Sequence, residues 1–126
     1  MMKIKEVSEK FDIPADTLRY WEREGAIPPV TRNAAGYRDY DEEDLDWISF
    51  AKCMREAGVS IEYLIEYLTL FKQGDVTLQA RKDLLHEQLA TIAQRLDEIQ
   101  HTYDLIKEKA DHYEAYVEGY HGKLAN

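Results

Sequence analysis

The sequence is short of several things at once. Its 126 residues include one cysteine, three prolines and six glycines. A single thiol, Cys53, excludes an intrachain disulfide and any zinc site built from cysteines. No apolar stretch approaches the roughly 20 residues that a membrane-spanning helix needs, and the segment from Met1 to Lys10 has no apolar core of a signal peptide. A cytoplasmic location is therefore expected. There is no nucleophile–base pair and no Gly-rich phosphate loop, so an enzyme is not expected. His86, His101, His112 and His121 are scattered without ligand spacing, so neither a metal nor another cofactor is expected. Few helix breakers and a charged fraction of one third are the balance of a helix-rich protein.

Positive charge is also scarce. The net charge is −9, which argues against nucleic acid, because phosphates are bound mainly by cationic side chains. The distribution weakens that objection. Residues 1–40 carry seven basic groups (Lys3, Lys5, Lys10, Arg19, Arg23, Arg32, Arg38) and seven acidic ones, and the whole deficit lies in residues 41–126. DNA binding would rest on the placement of a few cations.

What is present is periodic. Ile4, Val7, Ser8 and Phe11 follow a helical repeat, predicting a helix over 3–11. Pro14 has a fixed φ that the first turn of a helix tolerates. A second helix is expected from Ala15 to Glu24, stopped by a left-handed cap at Gly25. Two short helices joined by a tight turn form a helix-turn-helix, with Leu18 and Trp21 facing inward. Pro28-Pro29 blocks further helix. Val30–Asn33 and Tyr37–Tyr40, separated by Ala34-Ala35-Gly36, predict a β-hairpin wing. Asp41 with Asp44 forms a variant capping box for a third helix reaching about Ala57, whose apolar face centres on Trp47, Phe50, Met54 and Ala57. Ser60 caps a fourth helix carrying Ile61, Leu64, Ile65, Leu68 and Phe71.

From Thr77 onward the pattern becomes heptad. Leu78, Leu85, Ile92, Ile99, Ile106 and Tyr113 recur every seven residues, and Leu89, Leu96, Tyr103, Ala110 and Val117 recur with an offset of four. This predicts a coiled-coil helix about 60 Å long, whose stripe only a partner copy can bury. The predicted organisation is mainly α. A winged helix-turn-helix occupies 1–74 (helix-turn-helix about 3–24, wing about 28–40), a dimerisation helix 75–118 and a flexible tail 119–126. The dimer interface is assigned to Leu85, Leu89, Ile92, Leu96, Ile99, Tyr103 and Ile106.

Two functional classes fit these elements. In one, the hairpin is a solvated turn with aromatic cross-strand packing, and the chain is a coiled-coil adaptor whose helical head binds a protein. In the other, Arg32 and Arg38 on opposite arms, beside Tyr37 and Tyr40, clamp the phosphates of double-stranded DNA. Paired heads then read two half-sites. The arginine–tyrosine hairpin favours DNA, and the acidic remainder favours the adaptor.

Thr17-Leu18-Arg19-Tyr20-Trp21-Glu22, Gly25-Ala26-Ile27, Arg32, Gly36-Tyr37-Arg38-Asp39-Tyr40 and Gly58-Val59-Ser60-Ile61 occur in that order before the long final helix. In these features nearly the whole chain resembles the MerR family of bacterial transcription regulators. Trp21 departs conservatively from the family's usual Tyr or Phe. The resemblance implies that the second helix enters the major groove, that the hairpin is the first wing and the third and fourth helices a second, and that the final helices pair antiparallel. It implies a homodimer that bends and untwists promoters whose −35 and −10 elements are too far apart for RNA polymerase. On this reading Arg19, Tyr20, Arg23, Tyr37, Arg38 and Tyr40 hold phosphates, and Thr17 and its neighbours approach base edges. Lys5 and Arg32 join the DNA-binding set. Ser60 presents helix N-terminal N–H groups to a phosphate.

The resemblance also bears on the signal. Metal-responsive relatives carry cysteines at the start of the dimer helix and near the C-terminus, where this sequence has none, and drug-binding relatives carry an added effector domain. Cys53 has two readings. One is a small half-buried packing residue. In the other, Cys53-Met54-Arg55-Glu56-Ala57-Gly58 resembles the lone-cysteine branch of the family, which responds to aldehydes and other electrophiles. Against that sensor stands Glu56, three residues on, which opposes formation of the reactive thiolate. Lys52 and Arg55 are too close in sequence to face the thiol.

Overall fold

The computed structural model describes residues 1–120, so most of the tail expected at 119–126 lies outside the described residues. The chain is mainly helical: α1 Ile4–Phe11, α2 Ala15–Glu24, α3 Glu42–Glu56, α4 Ile61–Lys72, a 3-10 turn Asp75–Thr77, α5 Leu78–Asp111 and α6 Tyr113–Glu118. It divides into a compact unit, Met1–His86, and a second unit from Glu87 onward.

The helix-turn-helix is locked at its turn. Asp12 adopts a left-handed conformation (φ 54°) that ends α1. Ser8 and Ile13 then bond reciprocally: Ser8 Oγ donates to the Ile13 carbonyl (2.5 Å), and Ile13 N–H donates to the Ser8 carbonyl (3.1 Å). Lys52 Nζ, from α3, donates to the carbonyl of Phe11. A cation thus closes a helix end whose last carbonyls have no partner of their own. At the end of α2, Gly25 takes φ 85°, open to glycine at no steric cost.

Leu18 and Trp21 point inward as the sequence requires, joining Val7, Ile27, Ile48 and Leu64 in the core. Each such side chain contributes about 1.5–3 kcal/mol relative to exposure. The face of α3 differs from the expected one. Its buried residues are Asp44, Ile48 and Ala51, while Trp47, Phe50 and Met54 are half-buried and Ala57 is exposed. Two preferences turn the helix. Asp44 is drawn inward as a hydrogen-bond acceptor for the loop before it. The aromatics meanwhile pack edge-on and tilted with one another and with α4, at ring-centroid distances of 5.3 Å for Trp47–Phe71 and 5.8 Å for Phe50–Tyr67.

No regular strand forms among the described residues. The wing is a turn held by one antiparallel bridge, Arg32 to Arg38, and a second bridge joins Met2 to Tyr40. The turn is narrow because Asn33 supplies much of its bonding: its side-chain oxygen accepts from Ala35 and Tyr37 N–H groups at 2.9 and 3.1 Å. Asn33 N–H donates to the Tyr37 carbonyl at 2.9 Å. Backbone groups satisfied this locally are not available to extend a ladder.

The first compact unit runs past Gly74, the expected boundary. Thr77 Oγ1 lies within hydrogen-bond distance of the carbonyls of Leu70 (2.6 Å) and Gly74 (2.8 Å), to which it can donate its one proton. Arg81 bonds Thr77 Oγ1 (3.0 Å) and lies over the Phe71 ring (4.8 Å). Leu84, 9% exposed, joins the core. The first turns of α5 therefore belong to the head. In the second unit the expected unbroken helix to 118 is interrupted at His112 (φ −122°, ψ 35°), after which α6 stacks Tyr113 on Tyr116. Nearly all the heptad positions stand exposed, among them Leu89 at 64%, Leu96 at 66% and Ile99 at 67%.

Candidate nucleic-acid interface

Three segments of the head converge on one cleft of about 390 Å³, lined by Lys3, Ile4, Arg19, Arg32, Asn33, Tyr37 and Arg38. Its lining holds four cations and no carboxylate. An acidic chain thus brings four cationic side chains to one concavity, donors of the kind that bind an anionic backbone.

Each cation is placed by a specific contact. Arg19, on the exposed side of α2, is steered by Asp16 one turn earlier (2.9 Å). Lys3 Nζ lies 3.6 Å from Asp39 on the returning arm of the wing. Arg38 donates its Nε to Glu22 Oε1 at 2.7 Å, and Arg32 Nη2 lies 3.7 Å from Glu22 Oε2. Tyr37, at the wing tip, is 71% exposed. Just outside the cleft, Arg23 lies over the ring of exposed Tyr20 at 5.3 Å, a cation–π pair that presents both side chains from α2.

The remaining expected residues fall into three groups. Thr17 is half-buried in the first turn of α2, and Lys5 is exposed on α1, outside the cleft lining. Ser60 caps α4, its Oγ accepting from Tyr63 N–H at 3.2 Å. Tyr40 requires a correction. Expected to hold a phosphate, it is 1% exposed and sits in the core. Its bridge to Met2, with N–H···O bonds of 3.0 and 2.8 Å, turns the ring inward. Burial raises the phenol pKa above its ordinary value; Arg38 opposes the shift and Glu22 adds to it.

Sequence reasoning missed the carboxylates beneath the wing. Glu22 accepts from Val30 N–H at 2.8 Å as well as from Arg38. Asp44 accepts from Thr31 N–H (3.3 Å) and from Asp41 N–H (3.0 Å), and Thr31 Oγ1 donates to Asp41 Oδ2 (2.9 Å). The capping box of α3 thus also holds one arm of the wing. The Asp41–Asp44 spacing signalled the cap, but nothing local in the sequence signals the reach from Glu22 to Arg38.

Cys53 is exposed on α3 rather than packed. Its charged neighbours are engaged elsewhere: Glu56 with Lys52 at 3.7 Å, and Arg55 with the Val59 carbonyl at 2.8 Å. Among the described residues no cluster of His, Cys, Asp and Glu has the arrangement of a metal site, and no helix is long and apolar enough to cross a membrane.

Two protein-family models match the chain: MerR HTH family regulatory protein over residues 2–70, and MerR, DNA binding, over residues 45–108. The chain is 59% identical over 87 residues to the HTH-type transcriptional regulator AdhR of Bacillus subtilis (strain 168). That alignment spans 69% of this chain and 62% of AdhR, less than two thirds of the relative's length. The structure is similar to that of a protein from Listeria monocytogenes assigned to the MerR family of transcriptional regulators. The TM-score is 0.87, with 46% identity and coverage of 94% of this chain and 90% of that one. It is also similar to HiNmlR, a MerR family regulator lacking the sensor domain, solved bound to promoter DNA. Here the TM-score is 0.80, with 28% identity and 90% of each chain covered.

Proposed function

The chain belongs to the MerR family of HTH regulatory proteins and is a DNA-binding transcription regulator, not an enzyme; from that premise we propose that it acts as a cytoplasmic homodimer that grips and distorts promoter DNA. The observation that carries the reading is the cleft itself, with Lys3, Arg19, Arg32 and Arg38 and no lining carboxylate in a protein of net charge −9. Phosphate oxygens fit such a site. Arg19, Arg32 and Arg38 donate to them, exposed Tyr37 and Tyr20 add hydroxyl donors, and Arg23 and Lys5 extend the track. α2 enters the major groove with Thr17 near base edges, and the N-terminus of α4 at Ser60 meets the backbone farther along.

Two copies pair through the exposed heptad stripe of α5, antiparallel, setting two heads on successive half-sites. Holding both at once requires bent and untwisted DNA, a deformation costing roughly 1–6 kcal/mol and offset by contacts made only in the bent state. RNA polymerase is the functional partner, engaging the realigned promoter. The exposed Cys53 thiol supports an electrophile-responsive switch, in which the thiolate adds to an aldehyde carbonyl carbon and the resulting alkoxide takes a proton from water, giving a hemithioacetal. The likeness to a relative solved on promoter DNA favours this reading over a protein-binding adaptor.

A gel-shift titration with the DNA upstream of the protein's own gene, against unrelated DNA, tests the proposal. A specific complex is expected, and Arg38→Ala should weaken binding across sequences and reduce the salt slope by about one. An unchanged slope in that variant would remove the cleft from the interface.

A further inference from the structure

Arg32 and Arg38 face each other across a single antiparallel bridge. Like charges directly opposite in such a pair repel and destabilise it. The wing nevertheless holds two guanidinium groups side by side, because a third charge lies between them. Glu22, whose side chain is 10% exposed, sits with Oε1 2.7 Å from Arg38 Nε and Oε2 3.7 Å from Arg32 Nη2. A carboxylate this far from water is costly unless paired and hydrogen-bonded. Glu22 meets both conditions, because Oε2 also accepts the N–H of Val30 at 2.8 Å. The next residue, Thr31, is held by Asp44 of α3 (3.3 Å). The root of the wing is therefore suspended from carboxylates on two different helices.

The geometry points to Glu22 as the positioning residue of the DNA clamp, an inference that rests on the DNA-binding reading above. From the groove-entering helix it neutralises the repulsion between the two wing arginines. It holds Arg38 by Nε, so that the Nη groups can donate to one phosphate. It also fixes the wing to α2, so that helix and wing engage the duplex as one body. Ordering these arginines before DNA arrives lowers the cost of ordering them on binding. Glu22 does not itself contact DNA; it acts through Arg38.

The test is Glu22→Gln in the full chain, on specific and unrelated DNA, alone and combined with Arg38→Ala. Glu22→Gln should lower specific affinity about tenfold, the scale of a charge-assisted hydrogen bond, and should lower binding to unrelated DNA by less, because the negative charge removed offsets part of the loss. In the Arg38→Ala background the same change should alter specific affinity less than about twofold, since partners in one network are not additive. Glu22→Asp keeps the charge, the Nη donors and the fold but is one methylene too short to reach Arg38 Nε, so it should lose affinity in the same direction and serves if Glu22→Gln folds poorly. NMR provides a readout without DNA: the Arg38 Nε–H resonance should be protected from exchange in the wild type and lose that protection in Glu22→Gln. An unprotected Arg38 Nε–H in the wild type, a full tenfold loss in the Arg38→Ala background, or tighter binding of Glu22→Gln to both DNAs would each overturn the inference. A wild-type protein that shows the protected resonance but forms no specific complex would count against the DNA reading and leave the Glu22–Arg38 pair intact.

Discussion

Removing one oxygen from Tyr40 should make the protein more stable. The residue is 1% exposed, and its hydroxyl is buried with no hydrogen-bond partner among the described residues. A buried polar group left unsatisfied costs about 1–3 kcal/mol. Tyr40→Phe abolishes that cost and keeps the ring that fills the core, while the small void left by the oxygen takes back part of the gain. The net effect is a stabilisation of about 0.5–1.5 kcal/mol. For a unit of this size, 1 kcal/mol shifts the melting temperature by roughly 4–8 °C, so a rise of about 2–12 °C is expected. Circular-dichroism melts at one fixed protein concentration measure it, the concentration being fixed because subunit association shifts the midpoint. Specific DNA affinity, measured on the same samples, should not change. A lower melting temperature would mean that the hydroxyl has a structural partner. Weaker DNA binding at an unchanged melting temperature would return Tyr40 to the interface and refute its placement in the core.

Three further perturbations address other parts of the molecule. Ile99→Asp puts a charge in the centre of the heptad stripe, where the wild-type side chain is 67% exposed on the single chain. Sedimentation at micromolar concentration should show a wild-type dimer and a mutant that is monomeric or unfolded, and a stable mutant dimer would refute the heptad assignment. Cys53→Ser should abolish promoter activation by formaldehyde or methylglyoxal, and an unchanged response would leave the exposed thiol without a signalling role. The Asp41 carboxyl is held below its ordinary value of 3.8, first by the Asp44 N–H and then by the Thr31 hydroxyl. Its folded-state pKa is depressed, so its contribution is present above that ordinary value and lost as pH falls through the lower folded one. Asp41→Asn should therefore lower the melting temperature at neutral pH and flatten its decline below pH 4; an unaltered acid limb in the mutant would contradict this.

Much of the fold was legible because it is encoded locally. The α1–α2 unit follows from Pro14, Gly25 and the inward pair Leu18 and Trp21, and the starts of α3 and α4 follow from the caps Asp41 and Ser60. What escaped depends on residues distant in sequence. Hydrophobicity alone centres the inner face of α3 on Trp47, Phe50, Met54 and Ala57 and leaves Asp44 outside. Asp44 turns inward because Thr31 and Asp41 donate to it. Tyr40 was grouped with Arg38 by proximity, while its backbone pairing with Met2, almost forty positions away, decides its burial. The cleft shows the same division. Its arginines could be named from the sequence, but the carboxylate that sets them sits on another element, 16 residues from Arg38. Helix α5 was expected to stay continuous to 118; its break at His112 has no proline or glycine to announce it.

An acidic protein that binds DNA through a small, well-ordered set of cations must reveal them in its salt dependence. The most direct measurement is the affinity for the DNA upstream of its own gene, taken across a salt series and compared with unrelated DNA. A specific complex is expected, its log affinity falling linearly with log salt at a slope of about −0.9 for each phosphate neutralised. In Arg38→Ala the slope should be shallower by about one. Affinity that does not respond to salt, or no preference for the upstream DNA, would contradict specific binding through these cations.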